Sequence, residues 1–293
     1  MKLDYVSRVK TGLKRYKTIA TDKTTSRVLD GSYNSIYKGR SMNFDELREY
    51  VPGDDIKDID WKATSRSQKV LVRQYIAEKK HNLMLVMDTN RRMLAETKDG
   101  QEKKDVALIS GGSLAYMVAT NGDYISAVFE GGDGLLRFPF KMGALNLEYI
   151  LEGYAKSVTM DNDSTVNKSL EYIMRNIRRR MIIVIVSDLD GISKMSDGIL
   201  KQLVIVHDVL VMNISDTNCS GKKVYNVESG SYMPEFMTNS KKLDRILTLR
   251  QQKLLSECEA KLKHYGISMI TIDSEDNTES RIIELLEKNK SFN

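Results

Sequence analysis

Three aspartates at the ends of apolar runs are the residues best placed for chemistry. Asp88 closes "LMLVMD" (Leu83–Asp88), and Asp188 and Asp190 follow "MIIVIV" (Met181–Val186). Carboxylates that converge supply the oxygen ligands that Mg²⁺ prefers. With a metal they also suit hydrolysis. A second acidic group lies in "EYVPGDDIKDIDWKATSRSQKVLVRQY", Glu49–Tyr75. Here Asp54, Asp55, Asp58 and Asp60 precede Trp61, the only tryptophan, and the charge then turns to Lys62, Arg66, Lys69 and Arg73. Four carboxylates could collect Ca²⁺, but the spacing is not that of an EF-hand and basic neighbours abound. An ion-pair network around an anchored Trp61, drawing on Arg40, Arg48, Arg66 and Arg73, is expected instead. It is either an internal latch or a partner-facing surface.

The elements that position these acids follow from periodicity. The runs at Leu83 and Met181 are strand-sized and read as strands buried on both faces. Lys103–Thr120 reads as a helix with Ala107, Ser110, Gly111, Leu114, Ala115 and Val118 on one stripe, small enough for close packing on a sheet. Asp123–Phe129 and Leu135–Phe140 read as a hairpin joined by "EGGDG", with Pro139 placing the second strand at an edge. Helical faces follow at Ala144–Tyr154, Val166–Ile177 and Ser193–Val206, and His207–Ile214 returns as a strand. A long helix would bury Leu243, Leu247, Leu254, Cys258, Leu262 and Tyr265. A strand at Ile267–Asp273 and a helix at Glu279–Lys288 close the chain. Asn43 and Glu46 have capping-box spacing, which predicts a short helix over Phe44–Tyr50.

This alternation predicts an α/β fold: a doubly wound, mostly parallel, Rossmann-type sheet over 81–293, with helices on both faces. An α+β element occupies 1–80. Ligands of open α/β sheets bind beyond the carboxyl ends of the strands. Asp88, Asp188 and Asp190 are expected to meet there.

Composition narrows the function classes. The 293 residues are 41% hydrophobic with a net charge of +5, which suits a globular protein without implying a nucleic-acid partner. Cys219 and Cys258 lack metal-ligand spacing. No uninterrupted apolar stretch suggests a signal peptide or a membrane span, so a cytoplasmic location is expected. His81, His207 and His264 are isolated, and no nucleophile elbow, Walker A loop or Gly-x-Gly-x-x-Gly is present. "RNIRRRM", Arg175–Met181, is the densest basic run. It reads as a solvated turn at a helix end, or alternatively as a patch for nucleic acid or another acidic surface.

Two stretches carry a family resemblance. Asp88-Thr89-Asn90-Arg91-Arg92-Met93 resembles the metal-ion-dependent adhesion site of von Willebrand factor A domains, Asp-x-Ser-x-Ser followed by Met. That resemblance implies a middle-loop ligand from Thr165 or Ser164 and a last acid from Asp188. Asn90 keeps an oxygen, but Arg92 replaces the second serine and cannot ligate. A bound Mg²⁺ is therefore not expected at Asp88, Asn90, Thr165 and Asp188. Arg92 would pair with Asp88 or Asp188 and replace the metal's charge.

Upstream, Arg48, Tyr50, Pro52, Gly53, Asp54, Asp55, Ile59, Asp60, Trp61 and Arg66 match, in order, the signature of the bacterial family catalogued as domain of unknown function fifty-eight. The resemblance implies a von Willebrand A-like domain and a non-enzymatic adaptor or co-chaperone. Its partners would be a MoxR-type AAA+ ATPase and a client protein. Asp88, Asn90, Arg92, Thr165, Asp188 and Asp190 would form its recognition edge. The alternatives are a binding module acting through Arg175–Arg180 and a metal-dependent hydrolase.

Overall fold

The two apolar runs that end in aspartate pair side by side at the centre of one sheet. A computed structural model describes residues 4–19, 46–52, 56, 59–67, 69–74, 81–217, 225–227, 230–232 and 240–290. The chain opens with helix α1 (Asp4–Ile19). Next comes an antiparallel pair, β1 (Glu46–Glu49) and β2 (Leu71–Gln74), with helix α2 (Trp61–Ser67) between its strands. The main domain runs β3 (Asn82–Met87), α3 (Lys103–Thr120), β4 (Tyr124–Gly131), β5 (Gly134–Lys141), α4 (Ala144–Ser157), α5 (Val166–Asn176) and β6 (Ile182–Asp188). It continues through α6 (Leu189–Ser193), α7 (Asp197–Val206) and β7 (Asp208–Ile214) to a small pair, β8 (Tyr225–Asn226) and β9 (Ser231–Tyr232). Helix α8 (Lys241–His264), β10 (Ser268–Ile272) and α9 (Thr278–Lys290) complete it.

The main sheet has the order β10-β7-β6-β3-β4-β5, parallel throughout except for β5. The chain winds outward from β3 through β4 to β5, then restarts at β6 and winds the other way. This is the doubly wound arrangement, and the reversal falls between β3 and β6. Residues of β3 and β6 alternate between two cores because side chains alternate across a strand. Leu83, Leu85, Val184 and Val186 face α1, α3, α4 and α9. Met84, Val86, Ile183 and Ile185 face α5, α6, α7 and α8.

Helix α3 is buried on nearly every side because it lies between the sheet and a second helical layer. Its glycine pair makes both approaches possible. A Cβ on Gly111 would stand 3.3 Å from Met87 Cε, and one on Gly112 would stand 2.8 Å from Val9 Cγ2. Helix α1 therefore lies directly on α3, with Val6 and Val9 fully buried. The amino end of α1 is fastened by Glu148, a buried residue of α4 that accepts from Tyr5 N (3.0 Å) and Val6 N (2.7 Å). This satisfies donors that a helix start leaves unpaired, and it sets a carboxylate at the positive end of the helix dipole.

Several expectations need correction. The helix predicted over Phe44–Tyr50 is strand β1 at Glu46–Glu49, in register with β2 from Glu46↔Gln74 to Glu49↔Leu71. So short a helix would close few of its own hydrogen bonds, and Pro52 biases Val51 toward extended backbone. Trp61 is not anchored: it is 65% exposed at the start of α2. Asp60 caps that helix instead, accepting from Lys62 N and Ala63 N at 3.0 Å each. The Ser193–Val206 helix breaks into α6 and α7. The side chain of Asn167 bridges the gap, donating to Lys194 O (2.8 Å) and accepting from Ser196 N (3.0 Å). Of the predicted buried face of α8, only Cys258 and Leu262 are buried. Gly53, Asp54, Asp55, Asp58, Arg40, Asn43 and Cys219 lie outside the described residues, as do the side chains of Arg48 and Arg73.

Candidate functional site

At the reversal point, β3 and β6 deliver Asp88 and Asp188 side by side. Both carboxylates are almost wholly buried, at 2% and 1% exposure. Each needs local donors, because an unpaired buried charge is costly. After Asp88 the chain turns into a short 3₁₀ segment, Arg91–Leu94, capped by Asn90, whose Oδ1 accepts from Arg92 N at 3.0 Å. That turn aims Arg92 back across the strand ends. Its Nε lies 3.1 Å from Asp188 Oδ2 and 3.2 Å from Asp190 Oδ2, and its Nη2 lies 3.5 Å from Asp88 Oδ2.

A second cation enters from α3. Lys103, 2% exposed, places Nζ 3.3 Å from Asp188 Oδ2 and pairs with Asp216, just past β7. The remaining carboxylate oxygens are also occupied. Asp88 Oδ1 accepts from Asn90 N (3.0 Å), and Asp88 Oδ2 accepts from Ser187 Oγ (2.6 Å). Asp188 Oδ1 accepts from Gly191 N (2.9 Å) at the start of α6. Only glycine fits there: a Cβ at position 191 would lie 2.1 Å from Ser187 Oγ and 2.5 Å from Asp88 Oδ2.

The two buried acids differ in proton affinity. Burial, reinforced by the charge of Asp188, pushes Asp88 from an ordinary 3.8 up to about 6. Burial acts on Asp188 in the same direction, but the charges of Lys103 and Arg92 outweigh it and hold that carboxyl below the usual range. Burial would also lower Lys103 and Arg92, yet their acids keep both raised.

The middle loop closes the site from the side. Asn90 Nδ2 donates to Ser164 O (2.9 Å) and Asp163 Oδ1 (3.3 Å), and Ser164 Oγ lies 2.9 Å from Thr89 Oγ1. Ser164 thus has the buried role, while Thr165 is exposed and immediately precedes α5. Asn90, Arg92, Asp163, Thr165, Gly191 and Lys194 surround a cleft of about 210 Å³. Asp190, at its edge, also pairs with Lys194 at 2.6 Å.

These residues do not fit a divalent metal. Mg²⁺ needs oxygen lone pairs at close range. Here every oxygen of Asp88 and Asp188 accepts from an N–H or O–H, and the Asn90 oxygen is turned onto the Arg92 backbone. Arg92 and Lys103 add positive charge where the ion would sit.

The six residues predicted as a recognition edge thus lie together, with Thr165 on the cleft wall and away from the carboxylates. Lys103, Asp216, Ser187 and Gly191 were missed. Lys103 left a signal: a lysine in a helix's first turn opposes the dipole and calls for nearby acids. The other candidates lie elsewhere. His81 and His207 precede β3 and β7 at the opposite edge of the sheet, and His264 ends α8. In the basic run, Arg180 forks onto Asp208 (3.0 Å), Arg179 stacks over Tyr124 and Phe140, and Arg175 pairs with Glu171. In the signature, Tyr50 N donates to Val70 O (2.8 Å), Ile59 bridges to Val72, and Pro52 and Arg66 are exposed. Among the described residues no helix is long and apolar enough to cross a membrane.

Fold and site define a doubly wound α/β protein whose switch-point acids are neutralised by its own cations. The chain belongs to the family described as Protein of unknown function DUF58, whose pattern matches residues 46–220. It is 28% identical over 194 residues to the uncharacterized protein Rv1480 of Mycobacterium tuberculosis, covering 64% of this chain and 60% of that one. The match thus spans less than two-thirds of that relative's length. Among solved structures it is similar to an aerotolerance-related membrane protein from Bacteroides fragilis. That likeness has 13% identity and a TM-score of 0.44, and it covers 71% of this chain and 99% of that one. It is also similar to a von Willebrand factor type A protein from Catenulispora acidiphila, at 9% identity and a TM-score of 0.39 over 75% of this chain and 44% of that one.

Proposed function

We propose that this protein is a non-enzymatic protein-interaction module, an adaptor that works in the cytoplasm with a MoxR-type AAA+ ATPase and a client protein. The observation that carries this reading is the guanidinium of Arg92, a residue that lines the cleft, held against Asp88, Asp188 and Asp190. The site is a degenerate adhesion site in which a fixed cation stands where related sites hold a metal ion. Asp190 is the replaceable partner, because it is the most exposed of the three acids and has Lys194 as a second cation. A carboxylate of the partner protein takes its place on Arg92, while Asp190 stays with Lys194. The two cations held against Asp188, and Arg92 beside Asp88, support binding over turnover, since they stand where a metal or a substrate proton would have to approach these acids. The exposed Trp61 supports a second contact through the family signature, because tryptophan is favoured where interfaces concentrate their energy.

The test is a pull-down from the native lysate, read by mass spectrometry. An AAA+ ATPase recovered by the wild type and lost with Arg92→Glu and with Lys194→Glu supports the reading. A pull-down without an AAA+ ATPase removes that partner. An Arg92→Glu protein that folds and still binds removes the role of Arg92.

A further inference from the structure

Among the described residues, helix α8 is fully buried only toward its carboxyl end. Its 24 residues span about 36 Å. Its buried residues, Cys258 and Leu262, both lie in the carboxyl-terminal half, where the helix packs against α6 and β10. In the other half, Ile246 is 51% exposed and Leu249 is 56% exposed.

These two aliphatics are not scattered. Helix neighbours recur at i±4. One such row reads Lys242–Ile246–Arg250 and the next reads Arg245–Leu249–Lys253, and all six residues are exposed. Each row has a cation, an aliphatic and a cation in turn. The result is a small apolar centre inside a cationic frame. Lys253 has a long ion pair with Glu257 (3.8 Å), whereas Lys242, Arg245 and Arg250 have no ion-pair partner among the described residues. Lys242 also stands near the helix start, where the dipole disfavours positive charge. Ser240 and Asp244 answer the helix start itself, and Lys242, Arg245 and Arg250, around Ile246 and Leu249, leave a face complementary to an anionic, partly apolar partner.

We propose that this face of α8 docks an acidic amphipathic helix of a partner protein. The partner's aliphatic side chains would cover Ile246 and Leu249, and its Asp or Glu residues one turn to either side would meet the cations. Two rows at i±4 spacing match the ridges by which helices interdigitate. A membrane surface is a poorer fit, because the exposed apolar set is two aliphatics without the aromatic residues that favour a bilayer interface. This surface is separate from the Arg92 cleft, and the proposal stands without the one made there.

The experiment places the photo-crosslinking residue benzoylphenylalanine at position 249 of the full chain, in native cells. Crosslinked peptides are then mapped by mass spectrometry. The expected product joins position 249 to a segment of another protein in which acids flank aliphatics at helical spacing. Arg245→Glu with Lys253→Glu is expected to cut the yield at least about tenfold, while helix content and thermal unfolding stay unchanged. Crosslinks to lipid, to a second copy of this chain or to a segment without acids overturn the proposal. So does a yield indifferent to charge reversal, or no crosslink at all.

Discussion

Lys103 Nζ stands 3.3 Å from Asp188 Oδ2, so a lysine from the first turn of α3 completes a site otherwise built from the ends of β3 and β6. Lys103 also holds Asp216. Removing the cation leaves two acids facing each other without it. Lys103→Met is expected to cost about 3–5 kcal/mol, the usual loss when one side of a buried pair is deleted. Adding Asp216→Asn should return part of that loss. Urea unfolding of both single variants and the double variant measures this, and losses that simply add would exclude coupling between the two residues.

Asp88 and Asp188 give opposite pH dependences. Asp88 is raised to about 6, so its contribution to stability is fully present below its ordinary 3.8 and is lost as pH rises through 6. Asp188 is lowered, so its contribution is present above the ordinary carboxylate value and is lost as pH falls. Asp88→Asn removes the first effect and leaves Asp188 with its two cations and one neighbouring charge fewer. Relative to that variant, the wild type should lose about 2 kcal/mol between pH 4 and pH 6. Parallel stability curves for the two proteins across that window would contradict the assignment.

Gly191 is set by contact, not by backbone strain. A methyl group there would meet Ser187 Oγ and Asp88 Oδ2 within 2.5 Å. Gly191→Ala should therefore push α6 away from Asp188 and lower stability by about 2 kcal/mol or more. Loss of the Gly191 N–H bond should show as faster amide exchange at that position. Unchanged exchange would mean that the loop accommodates the methyl group.

The metal prediction follows from the occupied oxygens. Millimolar Mg²⁺ should leave the wild-type melting temperature unchanged. Arg92→Ser, which removes one cation and supplies a hydroxyl, is the variant in which a shift should first appear. Calorimetry that detects micromolar Mg²⁺ binding to the wild type, abolished by Asp88→Ala, would refute the fit argument.

Much of the sheet was legible because β3 and β6 are buried on both faces and leave uninterrupted apolar runs ending in Asp88 and Asp188. Position, not type, hid the rest. Lys103 is far in sequence from the acids it meets, and only the winding of the sheet brings α3 over them. Trp61 misled because tryptophan is usually well covered, whereas here it begins a seven-residue helix with no buried residue. The stripe on α8 misled in the same way. Leu243 and Leu247 continue the periodicity of Cys258 and Leu262 but are only half-buried, as are Leu254 and Tyr265. Periodicity reports which residues share a face, and it cannot report whether anything lies opposite.

Glu148 has a consequence in time. Tyr5 and Val6, whose amides it accepts, leave the ribosome 143 and 142 residues before it. At ordinary translation rates that is a wait of roughly ten seconds or more. Until α4 emerges, the first turn of α1 has neither its acceptor nor the groove beside Gly112. Helix α1 therefore waits for an element made well after it, and its docking reports that the nascent domain has reached α4.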